Sequence, residues 1–475
     1  MKRSANGSGS SRRRRFGAKI AAAIATAGAL GVLGTAVLAA AGSAACSSTK
    51  TPPPDVGKPI VVGVTIALTG DLKGTGVPLQ NIIKVASQQI NAFGGVLGRP
   101  VSFEVVDDTT DSANLLQSNV RTLLDEGAVA LLGPIGSKQV TAVAAPSVAG
   151  LSFQRKIIEL SATATSPDLT TFQPARDRYF FRTVPNDNLQ GKAAGIFASR
   201  GPGGSGACHH LAIVHNDDAY GNPFAAATTA EFKALGGAAA AVTDISIPSD
   251  VKASYSTDLA KLPPVTDCLL MVVFPPAGDE LVREIRILQT QTPAAFSPGF
   301  FMIGTDALFT NEFIVNGRTD KANAASPSVV EGVYGTNPDD SPPTSQYGDF
   351  RNLYLAHFNE AQAAADLAGQ AANFYDAAIL VALAIEQAGT TADPVAIRDA
   401  LFQVSKGGRS YGPAQLGDAL AAIRNKQDVD YTGASGDCDF DDNGDVVTGY
   451  IVWHVESGKF KADFDRIKQE ELVGQ

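Results

Sequence analysis

Three groups of residues in this 475-residue chain invite a chemical reading. The first is Asp439-x-Asp441-x-Asn443-Gly444, which matches the opening of a calcium-binding EF-hand loop. Its twelfth position is Tyr450 rather than glutamate and no helical pattern flanks it, so Asn443-Gly444 reads instead as the turn of a β-hairpin. The second is His209, His210 and His215, which lack a further ligand at metal spacing. The five histidines include none placed with Ser or Cys in a nucleophile elbow, and no glycine cluster forms G-x-G-x-x-G or a Walker loop. The third is Ser137, which follows the apolar run 128–132 and opens a helical pattern. A hydroxyl beside free backbone N–H groups suits a carboxylate, although spacing alone describes a plain N-cap serine. What remains is binding chemistry, with no catalytic constellation, no cofactor motif and no metal set.

The elements that must position such residues alternate strictly. Residues 60–67 form a continuous apolar, largely β-branched run, as in a strand buried on both faces of a parallel sheet. Leu79, Ile82, Ile83, Ala86 and Ile90 then recur at helical spacing until Gly94-Gly95. Strands over 101–106 and 128–132 bracket a helix over 113–124, and a helix starts at Ser137. The rhythm resumes after Pro185, with strands at 211–214, 239–247, 269–274 and 300–303 and helices at 223–235 and 279–288. Residues 361–388 read as one long Ala-rich helix, 394–401 as another, and 446–455 as a closing strand. Repeated strand–helix units imply parallel sheets covered on both faces, and two such blocks imply two lobes.

The first fifty residues differ. No acidic residue precedes Asp55, Arg12 to Arg15 form a basic block, and an apolar Ala-rich run over 20–41 ends in Gly42-Ser43-Ala44-Ala45 before Cys46. This is the layout of a secretory signal, and small residues before a cysteine resemble a lipobox. Ser43 stands where such boxes usually have leucine. Arg13-Arg14-Arg15-Phe16 also resembles a twin-arginine signal, so the export route stays open. An uncleaved anchor is the alternative, and either puts the remainder outside the cytoplasm. Residues 47–58 are a polar, Pro-rich tether. Loss of residues 1–45 removes seven basic and no acidic residues, taking the formal charge from −10 to −17, which argues against a nucleic-acid partner. Cys208 and Cys268 each precede an apolar run, and pair if those strands are neighbours; otherwise both stay free beside Cys438.

A series of segments stands in order: Ala67-Leu68-Thr69-Gly70, Ile90-Asn91-Ala92-Phe93-Gly94-Gly95, Val106-Asp107-Asp108, Gly133-Pro134-Ile135-Gly136-Ser137, Ser161 to Pro167, Phe181 to Asp187, Asp218-Ala219-Tyr220-Gly221, Gly304-Thr305-Asp306 and Phe440 to Asp445. Together they resemble the branched-chain amino-acid (Leu/Ile/Val) binding family of ABC importers, over nearly all of residues 58–455. The resemblance implies an α/β type I periplasmic-binding (Venus-flytrap) fold: two doubly wound parallel-sheet lobes joined by three crossings, near Val184, Gly332 and Val446. The expected organisation is a signal peptide over 1–45, a lipidated tether over 46–57, one lobe from 58–183 and 333–445, and the other from 184–332 and 446–475.

The resemblance also assigns a site. Ser137 takes the ligand carboxylate, Thr163 and Thr165 contact the amino-acid head, Tyr220 is the cleft aromatic of the second lobe, and Asp306 pairs with an ammonium. Asp306 stands where the family normally has glutamate, and Asp187 matches a hinge position with a structural or a ligand role. Thr75 replaces a frequent pocket aromatic and Phe274-Pro275-Pro276 a Gly-Tyr-type segment, so side-chain selectivity does not carry over. The expectation is a monomeric, non-enzymatic solute-binding protein, anchored through lipid on Cys46 and serving ABC permease subunits. The same fold could instead sense amides, urea or small carboxylates for a signalling partner.

Overall fold

The computed structural model describes residues 57–473 apart from 110–111, 205–207, 237–239, 340–341, 343 and 368. The expectations for residues 1–56, lipidation of Cys46 among them, lie outside the described residues.

Five parallel strands form the first sheet: β1 (Ile60–Ile66), β2 (Val101–Asp107), β3 (Leu131–Leu132), β4 (Glu159–Ser161) and β5 (Phe180–Arg182), in the order β2-β1-β3-β4-β5. Six of the seven residues of β1 are buried, as befits a strand covered on both faces. The second sheet has seven strands: β6 (His210–Asn216), β7 (Ala241–Ile247), β8 (Thr266–Val272), β9 (Phe296–Gly304) and β10 (Tyr334–Pro338), joined after the short sheet of β11 (Arg409–Tyr411), β12 (Val429–Gly433) and β13 (Gly436–Asp437) by β14 (Tyr450–Glu456) and β15 (Lys459–Ile467). Its order is β15-β14-β10-β9-β8-β6-β7, parallel from β7 to β10 and antiparallel thereafter.

Side chains alternate across this sheet. Ala212, Val214, Leu269 and Met271 enter the core on one face, while Leu211, Ile213, Leu270 and Val272 enter the core on the other. The core of the first lobe joins β1 to the helices Lys73–Ala92 and Ala371–Ala388, so its apolar partners come from widely separated stretches. Cys268 on β8 stands opposite Leu211 on β6, and it forms a disulfide with Cys208 just before β6. Cys438 is buried and free.

Several sequence expectations need correction. The strand Tyr334–Pro338, assigned to the first lobe with 333–445, belongs to the second sheet, where it pairs with β9 and β14. Gly335 lets it approach: a Cβ there would meet the Trp453 ring at 2.1 Å. The crossing therefore follows Pro338 rather than Gly332. Val446 packs in the first lobe's core, and the last crossing lies between it and Tyr450. The single helix over 361–388 is two helices, Glu360–Asp366 and Ala371–Ala388, bent by 86° around Gly369, whose φ of +71° suits glycine. Asn443-Gly444 does make a turn, but no hairpin: Asp441 accepts from the backbone N–H groups of Asn443 and Asp445. Asp445 instead holds Arg182 in a buried, bidentate pair at 2.7 and 2.8 Å.

Candidate functional site

Parallel sheets concentrate loops and helix N-termini beyond the carboxyl ends of their strands, and seven of the eight candidate ligand-binding residues meet there. Beyond β3, Ser137 is the first residue of the helix Ser137–Ala144, with Gly136 as its N-cap, so Ser137 is not itself the cap. Its buried Oγ accepts from the Ser166 N–H at 3.1 Å. Beyond β4, Thr163 donates its hydroxyl to the Ile135 carbonyl at 2.6 Å, and the Thr165 carbonyl accepts from the Asp187 N–H. Thr75 lies in the first turns of the helix Lys73–Ala92.

The second lobe supplies the facing wall. Tyr220 follows β6, and Phe274 follows β8 as the N-cap of the helix Pro275–Gln291. Their rings stack at 5.5 Å and 26°. Asp306 follows β9, and Oδ1 accepts from the Tyr220 hydroxyl at 3.4 Å, while that hydroxyl also meets Thr305 Oγ1 at 2.7 Å.

Thr75, Ser137, Thr163, Thr165, Tyr220, Phe274 and Asp306 line one cavity. The same cavity takes in Leu72, Ile135, Ala307 and Gln370, which the sequence reading had not singled out. Gln370 is the chemically telling omission: its Nε2 donates to Asp306 Oδ2 at 2.7 Å. It sits at the break between the two helices that had read as one, so only an interruption hidden inside an Ala-rich run exposes it.

Asp187 does not line the cavity. It is fully buried at the start of the helix Asp187–Arg200, where neither carboxylate oxygen has a partner of good hydrogen-bond geometry and the Thr165 hydroxyl lies against it. Burial, then repulsion from Asp306, pushes its carboxyl well above the usual range. Burial likewise raises Asp306 from 3.8 to about 6, against hydrogen bonds from Gln190, the Ala307 N–H and Tyr220. None of those partners is a cation. One wall thus offers an acid without a counter-charge, and the other a hydroxyl at a helix N-terminus, a set complementary to an ammonium and a carboxylate held apart.

The remaining chemical candidates have structural partners. His215 bonds the Asn216 carbonyl at 2.9 Å and Asp244 at 2.7 Å, and Asp267 accepts from the backbone N–H groups of His209 and His210. Among the described residues no group of three or more His, Cys, Asp or Glu side chains could hold a metal ion.

Residues 59–262 match the family model described as periplasmic binding protein. The Leu/Ile/Val-binding protein BraC3 of Rhizobium johnstonii is 28% identical over 283 residues, covering 58% of this chain and 73% of that protein. The chemotactic signal transduction system substrate-binding protein BasB of Halobacterium salinarum is 26% identical over 416 residues, covering 83% and 87%. Matches to curated relatives span from 41% to 87% of those proteins' lengths. Among solved structures, the Streptococcus pneumoniae branched-chain amino-acid transporter substrate-binding protein LivJ, in complex with isoleucine, superposes with a TM-score of 0.66 at 19% identity, covering 86% of this chain and all of that one.

Proposed function

Because this chain is a periplasmic binding protein of the branched-chain amino-acid type with the type I, Venus-flytrap fold, we propose that it captures a small α-amino acid or close analogue outside the cytoplasm and hands it to an ABC importer. The observation that carries this reading is Asp306, a buried carboxylate facing the cavity with no cation among its partners. A ligand ammonium would supply the missing charge, and Ser137 with its helix N-terminus would take the carboxylate. Thr163 and Thr165 complete the head-group contacts of the first lobe. Tyr220 and Phe274 close the second side, and Thr75 lies where the ligand's own side chain begins. Ligand held by both lobes would shift the molecule toward its closed form, which is what a permease would recognise. Export with a lipid anchor on Cys46 belongs to the same proposal.

Calorimetry on ligand-stripped protein against amino acids, amides, urea and small carboxylates tests it. Binding of an amino acid that is lost in Asp306→Ala supports the reading; binding only of compounds without an amine, unaffected by that substitution, sinks it. The likeness to BasB over 83% of the chain favours a second reading, in which the closed form reports to a signalling partner. Uptake of labelled ligand that depends on the protein separates import from a behavioural response without uptake.

A further inference from the structure

Beside the head-group cavity lies a second, outer chamber. Leu72, Gly136, Ser137, Tyr220 and Phe274 line both spaces, so the two adjoin across these residues. The rest of the outer lining is polar throughout: Asp71, Lys138, Gln139, Asp218, Ser249 and Asp250. Three carboxylates face one ammonium. A pocket selective for an aliphatic tail is walled by apolar side chains that exclude water, and this chamber is not.

We propose that the ligand is an α-amino acid whose side chain is extended and ends in a cation, the tail passing between Leu72 and Phe274 into the outer chamber. This rests on the inner cavity holding the amino-acid head group, as argued above. The stacked Tyr220 and Phe274 rings border both chambers and offer an apolar surface to a methylene stem. A guanidinium or ammonium emerging beside them gains from the ring faces. Beyond them, Asp218 accepts from the Tyr220 and Gly221 N–H groups at 2.9 Å each and from the Ser249 hydroxyl at 2.8 Å. All three donors are neutral, so they hold the carboxylate in place at the chamber's lining without cancelling its charge. Asp250 is exposed at the rim, as is Lys138. A cleft mouth with an excess of one charge raises the local concentration of the opposite one.

The test is calorimetry of the full chain, stripped of ligand, with L-arginine and L-lysine against L-leucine and L-citrulline, a neutral match for arginine in length. Arginine or lysine binds tightest, and citrulline binds more weakly than arginine. Asp250→Asn, a rim substitution, lowers arginine affinity roughly two- to fivefold and leaves leucine unchanged, while Lys138→Ala raises arginine affinity by a similar factor. Leucine binding tightest, with arginine indifferent to Asp250→Asn and Lys138→Ala, overturns the cationic-tail inference and leaves the head-group reading in place. Failure of every amino acid to bind overturns both.

Discussion

Gln370 of the first lobe donates its side-chain N–H to Asp306 of the second at 2.7 Å, so one hydrogen bond spans the cleft at the point where the ammonium of a ligand would sit. The bond occupies one oxygen of a carboxylate that no cation neutralises. It gives the closed arrangement a contact of its own before any ligand adds to it.

Gln370→Ala removes this bridge and should weaken ligand binding by about 0.5–1.5 kcal/mol, the net worth of one hydrogen bond, with the free protein shifted toward the open form. Small-angle scattering of the ligand-free variant checks the second part. Gln370→Glu places a like charge beside Asp306 and should open the cleft further.

Asp306→Asn keeps the shape of the side chain and removes its charge. An ammonium-bearing ligand should lose roughly 2–5 kcal/mol of binding, because its own charge is then buried unpaired. A neutral amide ligand should bind the variant as well as the parent. Calorimetry with both ligands distinguishes the two outcomes.

Stability should depend on pH in a definite direction. Burial raises the carboxyls of Asp306 to about 6, Asp108 to about 7, and Glu159 and Asp279 to about 8. Each binds its proton more tightly folded than unfolded, so its contribution is complete below the ordinary carboxylate range and is lost as pH rises through the folded value. The melting temperature of ligand-free protein should fall between about pH 5 and pH 8. Asp445 runs the other way: burial alone would raise it, but the Arg182 guanidinium and hydrogen bonds hold it low, and its contribution goes in strong acid. An ammonium ligand needs ionised Asp306, so the thermal shift on adding ligand should grow as pH rises through about 6.

Replacing both Cys208 and Cys268 by alanine opens a link across 60 residues and should cost about 4 kcal/mol by loop entropy. Denaturant unfolding measures this. Reductant should lower the parent's midpoint and leave the double variant's unchanged.

Arg182→Ala leaves the Asp445 carboxylate buried without its guanidinium and should destabilise by about 3–5 kcal/mol. A double substitution to Arg182→Met with Asp445→Leu should recover much of that loss. Thermal melting of both variants decides it.

The βαβ rhythm was readable because strands covered on both faces, such as Ile60–Ile66, appear as unbroken apolar runs. Ordered short segments placed Ser137, Thr163, Tyr220 and Asp306 at strand ends, and the structure gathers them around one cavity. What failed was local sequence with no pattern to offer. Tyr334–Pro338 contains Gly, Thr, Asn and Pro, and is a strand because β9 and β14 pair on either side of it. The Ala-rich stretch has helix-forming residues before and after Gly369, so propensity hides a bend that tertiary packing imposes, and Gln370 with it. Asp187 carries the right motif yet lies behind the cavity wall, a distinction of a few ångströms that residue order does not encode.

The helix Ala371–Ala388 packs into the same core as β1, which was made far earlier in the chain. During synthesis the ribosome must add about 300 residues between them, which at roughly 5–20 residues per second takes on the order of 15–60 s. Through that interval the first sheet lacks one of its covering helices, and the second sheet waits longer still for β14 and β15, between Tyr450 and Ile467. Neither lobe can therefore complete its core until about the last hundred residues have been made, so the two halves of the clamp mature together rather than one after the other.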